Sequence, residues 1–168
     1  MPSSMDQGKD WGHEQIMALA PARILDVGPG LGRYRDLIGD DLVAEWWAVE
    51  VWAPYVERYA LAERYDHVIV EDVRAFDWPT TFDLVILGDV LEHMPRSDAL
   101  QVWGQARAHA RNVLLSLPIV PYPQATEEGN PYEAHVETWS DAECRALPGV
   151  RAGQANPVVG VYLAGGLV

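Results

Sequence analysis

A glycine-rich turn between two patterned segments restricts what this chain can fold into more than any other feature. Residues 24–27 are apolar except for one aspartate and indicate a buried strand, which ends at Gly28, Gly30 and Gly32. Apolar side chains then recur at helical spacing over residues 31–38. Strand, tight turn and helix form the first unit of an α/β sheet. Because glycines allow positive φ and a helix N-terminus offers free N–H groups, this turn predicts a ligand site.

The glycine spacing argues against a dinucleotide as that ligand. The dinucleotide fingerprint is G-x-G-x-x-G, whereas this chain has G-x-G-x-G, with Arg33 in the place of the third glycine. Asp26, just before the turn, would repel a pyrophosphate but suits a cationic ligand. The stretch from Arg23 to Tyr34 therefore resembles the first motif of the class I (Rossmann-like) S-adenosylmethionine-dependent methyltransferases, whose ligand carries an ammonium and a sulfonium group. The resemblance implies that this cofactor contacts Asp26, Gly28, Gly30 and Gly32.

A second motif follows a later apolar strand. The strand over residues 84–87 continues into Gly88 and Asp89, and then into Glu92 and His93. It resembles the fourth motif of small-molecule methyltransferases, in which Glu-His and an apolar residue follow the strand. The resemblance implies that Gly88 and Asp89 contact the cofactor. The strand lacks the Asn/Asp-Pro-Pro-aromatic motif of DNA amino-methyltransferases and the Pro-Cys pair that attacks cytosine C5.

An acidic residue ends the second predicted strand, over residues 44–51. Glu50 is placed there to accept hydrogen bonds from both hydroxyls of a ribose, an arrangement that NAD enzymes share. Val51 and Trp52 follow as further candidate cofactor contacts. Trp52 could lie on an adenine face, although a tryptophan is more often a core residue.

Another acidic residue follows the third predicted strand, over residues 67–70. In the resembled family, a carboxylate at the place of Asp72 takes the exocyclic amine of adenine, and the N–H of the next residue, Val73, reaches a ring nitrogen. The alternative is that Asp72 only caps the turn.

Strand and helix patterns alternate along most of the chain. We predict a leading helix over residues 11–20, five strands alternating with helices, and two closing strands. With the resemblance, this predicts an α/β fold: a Rossmann-like three-layer sandwich whose mostly parallel seven-stranded sheet ends in an antiparallel C-terminal hairpin. The strands are predicted over residues 24–27, 44–51, 67–70, 84–87, 111–117, 149–154 and 157–164.

The chain length of 168 residues suits a single domain. We predict a flexible N-terminal tail over residues 1–10 and one methyltransferase domain over residues 11–168. Residues 118–137 interrupt the alternation and contain Tyr122, Tyr132 and His135. A long irregular segment in a compact domain is usually functional or disordered, and its aromatic content favours an acceptor-binding lid.

Two histidines are the candidate catalytic residues. If the methyl acceptor is a hydroxyl, a general base accelerates the transfer, and His93 and His135 could serve. The alternatives are that His93 only fixes the loop after its strand and that His135 is a surface residue of the lid. Asp89, Glu92 and both histidines could instead bind a divalent cation that acidifies a diol. Their spacing is not diagnostic of a metal site, so we expect a site without metal.

Charge and composition limit the partners. The formal net charge is −13, and such a surface repels phosphates and disfavours nucleic acid. No apolar run approaches the ~20 residues that span a bilayer, and no signal-peptide pattern is present. The single cysteine, Cys144, excludes an internal disulfide. We expect a cytoplasmic protein without membrane contact, and an exposed sheet edge or aromatic patch could support a homodimer.

The leading functional hypothesis is methyl transfer from S-adenosylmethionine to a small molecule, at a hydroxyl of a sugar or a secondary metabolite, with S-adenosylhomocysteine as product. Methylation of protein or nucleic acid is the second hypothesis, disfavoured by the acidic surface and by the lack of an inserted recognition domain. The third is a catalytically silent module that binds the cofactor and acts through a partner, because binding and catalysis use different residues.

Overall fold

The computed structural model describes residues 8–127 and 129–167, and in them seven strands combine with five α-helices. The strands are β1 (Arg23–Val27), β2 (Glu45–Glu50), β3 (His67–Val70), β4 (Phe82–Gly88), β5 (Ala110–Pro118), β6 (Val150–Ala155) and β7 (Val159–Gly165). The helices are α1 (Lys9–Leu19), α2 (Arg33–Ile38), α3 (Ala53–Arg58), α4 (Arg96–His109) and α5 (Asp141–Ala146). Short 3₁₀ turns cover Leu61–Glu63, Leu91–His93 and Pro131–Glu133.

The seven strands form one sheet in the order β3-β2-β1-β4-β5-β7-β6. The first five strands pair in parallel, with Val27 of β1 opposite both Val49 of β2 and Leu87 of β4. β7 runs antiparallel to β5 and β6, so the predicted fold is confirmed. The chain order reverses between β1 and β4, and ligands of open α/β sheets bind outside the strand ends at such a point.

Alternate side chains of the central strands enter two separate cores, one on each face of the sheet. Leu25 and Val27 of β1 pack in one core with Trp103 of α4. Ile24 packs in the other core with Ile16 of α1. This division produces the three layers, and it holds the strand ends rigidly where the candidate site lies.

The structure differs from the predicted elements in two places. The first helix begins at Lys9 instead of residue 11, and residues 1–7 of the predicted tail lie outside the described part of the chain. Between β3 and β4 the described residues 71–81 contain no helix, so one of the predicted strand–helix alternations is missing. Phe76 and Trp78 of this connection are buried in the core instead. Among the described helices, none has the length and apolar character to cross a membrane.

Candidate active site

A cavity of about 500 Å³ opens at the carboxyl ends of the parallel strands. This volume lies within the range of small-molecule and cofactor sites. The glycine turn after β1, the tips of β2 and β4, and the irregular segment after β5 all contribute to its wall. Predicted residues that line the cavity are Gly28, Gly30, Glu50, Val51, Asp72, Val73, Gly88, Asp89, His93 and His135.

The glycine turn adopts the backbone geometry for which its glycines were expected. Gly28 and Gly32 have φ values of 60° and 74°, in the left-handed region. A Cβ at Gly28 would meet the Val90 side chain at 3.2 Å, so the turn packs tightly against the segment after β4. Gly32 lies outside the cavity lining, and its carbonyl accepts a hydrogen bond of 2.9 Å from Arg64. Gly32 therefore shapes the turn, whereas Gly28 and Gly30 present backbone to the cavity.

Glu50 lies at the tip of β2 with its carboxylate anchored by backbone. One oxygen accepts a hydrogen bond from the Trp52 N–H at 2.8 Å, and the other accepts one from the Gly30 N–H at 3.3 Å. The residue is buried, which raises the pKa of its carboxyl group. These bonds orient the carboxylate and leave lone pairs on both oxygens for a ligand hydroxyl. Trp52 itself lies outside the cavity lining, with its ring 6.3 Å from that of Tyr132.

Asp26 is not brought into the cavity. Its carboxylate is buried in the protein interior and accepts a hydrogen bond of 2.7 Å from the Tyr65 hydroxyl. Burial raises the pKa of this carboxyl to about 7, against the opposing effects of the Tyr65 hydrogen bond and the Lys9 charge. The Asp26 carboxylate, which the sequence predicted to contact a cationic ligand, therefore faces the core.

Asp72 lines the cavity, but its carboxylate already has partners. It accepts a hydrogen bond from the Arg74 backbone N–H at 2.9 Å, which caps the turn as the alternative interpretation proposed. The Arg74 guanidinium also contacts both oxygens and lowers the pKa of the carboxyl. Arg74, which also lines the cavity, was not predicted, and no pattern in the sequence distinguishes it from a surface arginine.

The two candidate histidines meet at the end of the cavity formed by β4 and the segment after β5. His93 closes the 3₁₀ turn Leu91–His93, and its ring centroid lies 4.7 Å from that of His135 in an edge-to-face arrangement. The His93 Nδ1 is 3.2 Å from the Ala134 carbonyl, and the His135 Nδ1 is 2.7 Å from the Tyr122 carbonyl. Burial and the neighbouring His135 lower the pKa of His93 to about 4, and burial also lowers the pKa of His135. Both imidazoles are therefore neutral at pH 7.

Glu92 lies beside the histidines and is 1% exposed. Neither of its carboxylate oxygens has a hydrogen-bond partner among the residues that the structure describes. Burial, followed by the nearby Asp89 charge, raises the pKa of this carboxyl well above its ordinary value. A carboxylate oxygen of Glu92 and a ring nitrogen of each histidine lie within 4.8 Å of one another. The Glu-His motif identified this pair in the sequence, but not the burial of the glutamate.

Further residues of the segment after β5 reach the cavity without having been predicted individually. Asn130 is 2% exposed, and its side chain caps the 3₁₀ turn Pro131–Glu133 by accepting the Tyr132 N–H at 2.9 Å. Glu133 and Gln124 line the same wall, and the Gln124 amide donates to the Glu133 carbonyl at 2.8 Å. In the sequence, the Asn130-Pro131 pair was the only local pattern that indicated this turn.

Comparison with known proteins identifies the class to which this fold and site belong. The family described as "Methyltransferase domain" matches residues 25–113, about half of the chain, and the chain belongs to that family. The predicted recognition as a class I S-adenosylmethionine-dependent methyltransferase, with S-adenosylmethionine as cofactor, is therefore confirmed.

Individual relatives are distant or much longer. A protein of Salinispora arenicola named "Probable non-canonical nonribosomal peptide synthetase (NRPS) CymA" is 31% identical over an alignment of 117 residues that covers 62% of this chain. The chain spans 2% of the length of that protein. The structure of DhpI with S-adenosylhomocysteine superposes with a TM-score of 0.75 at 17% identity, covering 96% of this chain and 85% of DhpI. The N-terminal domain of EvdMO1 with S-adenosylhomocysteine gives 0.70 at 14% identity, covering 97% and 82%.

The residues at the strand ends fit the cofactor of this family. The turn at Gly28 and Gly30 has no side chains in the way of a ligand, and the Glu50 carboxylate is oriented toward the cavity wall where a ribose would lie. Asp89 also lines this cavity, and its carboxylate is of the charge that would suit an ammonium group. When bound, the cofactor supplies an electrophilic methyl group on a sulfonium.

Proposed function

We propose that this domain transfers a methyl group from S-adenosylmethionine to a hydroxyl of a small molecule, such as a sugar or a secondary metabolite. The observation that carries the proposal is the pair of adjacent imidazoles, His93 and His135, whose ring centroids lie 4.7 Å apart at the cavity end lined by Asp89. An imidazole in its neutral form is suited to accept the proton of a hydroxyl. The histidines lie in the same cavity as the residues that fit the cofactor.

The cofactor is held by backbone and carboxylates. Gly28 and Gly30 lie against its amino acid portion, and Asp89 pairs with its ammonium group. Glu50 accepts hydrogen bonds from the ribose hydroxyls, with the Val51 backbone beside them. Around the adenine, Val73 offers its backbone N–H, and Asp72 stays bound to Arg74 unless the adenine amine displaces the guanidinium.

Residues 118–137 form the lid over the acceptor. The backbone N–H groups of Val136 and Glu137 donate to the Glu92 carbonyl at 2.9 and 3.1 Å, and the Ala134 carbonyl contacts His93. These bonds attach the segment to the 3₁₀ turn after β4. Tyr122 and Tyr132 are 45% and 42% exposed and line the cavity, where their rings can pack on an acceptor.

The chemistry is an in-line displacement. The cofactor would supply its methyl carbon to the acceptor oxygen with S-adenosylhomocysteine as the leaving group, and the free nitrogen of an imidazole would accept the hydroxyl proton. Positioning the acceptor at near-attack distance can supply roughly 7–11 kcal/mol, and the base adds roughly 10²–10⁴-fold in rate. The position of Tyr122 and Tyr132 on the cavity wall supports the first contribution, and the neutral histidines support the second.

A small acceptor is favoured over a macromolecule by charge and by similarity. The net charge of −13 opposes binding of polyanions. The CymA relative carries the name of a nonribosomal peptide synthetase. A catalytically silent binding module remains the competing hypothesis from another class.

Transfer of labelled methyl to a panel of sugars and secondary metabolites tests the proposal. We expect His93→Asn and His135→Asn to lower transfer at least 100-fold while S-adenosylhomocysteine binds within threefold of the wild-type affinity by calorimetry. His13→Asn on α1, outside the cavity lining, is the matched control and should transfer normally. Tight binding of the cofactor product, with no transfer to any acceptor by the wild-type protein, would favour the silent module.

A further inference from the structure

We infer that Glu92, His93 and His135 form a binding site for one divalent transition-metal cation. The three side chains offer two imidazole nitrogens and a carboxylate oxygen, all within 4.8 Å of one another. Imidazoles and carboxylates bind these cations at ~2.0–2.2 Å, so a bound cation would draw the three side chains closer together than they are in this structure. This inference departs from the expectation of a metal-free site, which rested on sequence spacing alone.

The hydrogen bonds of both histidines prepare them as metal ligands. A carbonyl oxygen only accepts hydrogen bonds, so the contacts of Nδ1 with the Ala134 and Tyr122 carbonyls place the ring proton of each histidine on Nδ1. Each Nε2 then carries a lone pair. Metal-bound histidines almost always donate their other ring N–H to a carbonyl, a carboxylate or water, because this bond fixes the tautomer and the ring orientation. His93 and His135 both have this outer partner.

Glu92 provides a second and independent indication. Its side chain is buried, and its carboxylate oxygens have no hydrogen-bond partner among the described residues. A buried carboxylate without partners is strongly unfavourable, so native structures pair such groups with hydrogen bonds, opposite charges or metals. Asp89, which lines the same cavity, makes the local field more negative still. A bound cation would compensate both carboxylates.

The donor set also indicates which cations suit the site. Two imidazoles and one carboxylate favour Mn²⁺, Fe²⁺, Co²⁺ or Zn²⁺, whereas Mg²⁺ and Ca²⁺ prefer sites built from oxygen ligands. Three protein ligands leave coordination positions for water or for an acceptor oxygen. Since Glu92 and His93 follow β4 and His135 follows β5, the cation would also link the lid to the sheet.

If the cation takes part in the proposed methyl transfer, it takes over the role of the imidazole base described above, and only this part of the inference rests on the proposed function. A divalent cation lowers the pKa of a hydroxyl or water in its open position. The acceptor hydroxyl would then lose its proton to solvent, because the imidazole lone pairs are bound to the cation. Cation binding itself requires neither the acceptor nor methyl transfer.

Titration of the full chain with Co²⁺ after treatment with a chelator tests the site directly, because Co²⁺ bound by nitrogen and oxygen ligands absorbs visible light. We expect saturation at one equivalent, and displacement of the signal by Zn²⁺. Glu92→Gln and His135→Asn should each weaken Co²⁺ binding at least tenfold. His13→Asn should bind Co²⁺ as the wild-type protein does. S-adenosylhomocysteine affinity, measured on every variant, verifies that the domain is folded.

The absence of a saturable Co²⁺ signal, or equal Co²⁺ binding by a folded His135→Asn variant, would overturn the metal site. The outcomes for the two proposals are separable. Methyl transfer that persists in chelator, by a protein that binds no Co²⁺, would remove the metal site and leave the proposed function intact. Stoichiometric Co²⁺ binding that the variants abolish would establish the site even if no acceptor is ever methylated.

Discussion

At the scale of single residues, burial decides whether a carboxylate serves a ligand or the interior. Asp26 and Glu50 both stand near strand ends and both are buried, at 2% and 3% exposure. Asp26 is bonded to the Tyr65 hydroxyl in the interior, whereas Glu50 is bonded to backbone N–H groups at the cavity wall. The same functional group, a buried carboxyl, therefore has two different consequences for stability and binding.

Asp26→Asn should change how stability depends on pH. Burial holds the pKa of Asp26 at about 7 in the folded protein, opposed by Tyr65, Lys9 and Arg64 and assisted by Glu50, while an unfolded aspartate titrates near pH ~3.9. The folded state therefore binds this proton more tightly. The stabilisation of the folded state by this bound proton is fully present below about pH 4 and is lost as the pH rises through 7.

Urea denaturation between pH 4 and pH 8 measures this effect. The unfolding free energy of Asp26→Asn, relative to wild type, should increase with pH up to about 7 by at most ~1.4 kcal/mol per pH unit, and then level off. The fully exposed Asp40 supplies the matched control, Asp40→Asn. Parallel pH profiles for wild type and Asp26→Asn would contradict the assignment of a raised pKa.

At the scale of elements, the carboxylates near the ends of β1 and β2 face different surroundings. Asp26 precedes the last residue of β1 and shares the strand face of Ile24, which packs against α1. Glu50 is the last residue of β2 and borders the cavity. Cofactor binding should therefore depend on Glu50 and not on Asp26.

Calorimetry with S-adenosylhomocysteine separates the two carboxylates. Glu50→Gln should weaken binding at least tenfold, because charge-assisted hydrogen bonds contribute roughly 1.5–3 kcal/mol each. Asp26→Asn keeps an acceptor for Tyr65 and should bind within threefold of wild type. Equal losses in the two variants would mean that Asp26 reaches the ligand in the bound state.

The elements that could be predicted from sequence are those with strong local patterns. Residues 84–87 and 113–115 are continuous apolar runs within two of the predicted strands, and the structure buries both runs at the centre of the sheet. Such a run predicts a strand that is buried on both faces, as these two strands are. The connection between β3 and β4 has no helical period, and its Phe76 and Trp78 fold into the core without forming a helix.

The contacts between elements could not be predicted in the same way. The Glu92–His93–His135 cluster depends on how separate segments meet after folding. His93 and His135 are 42 positions apart in the chain, and only the pairing of β4 with β5 brings the segments after them together. The sequence named Glu92 together with both histidines as possible cation ligands, but only the structure shows that the glutamate is buried.

At the scale of the whole molecule, an acidic surface surrounds a site whose proposed ligands are cationic or neutral. The 25 acidic and 12 basic residues give the net charge of −13. Long-range repulsion slows the approach of anions and favours cations, and salt screens both effects. The cofactor, with its ammonium and sulfonium groups, and a divalent cation would both be attracted to this surface.

The same charge predicts that nucleic acids bind poorly. Fluorescence anisotropy with labelled 20-nucleotide RNA and DNA, in the presence of S-adenosylhomocysteine and ~0.15 M salt, should give dissociation constants weaker than roughly 10⁻⁴ M, the weak limit of non-specific binding. Lowering the salt should not produce tight binding, because few cationic side chains are available to neutralise phosphates. Saturable binding of either nucleic acid below micromolar concentration would instead identify a local basic surface and favour a macromolecular acceptor over the small molecule proposed above.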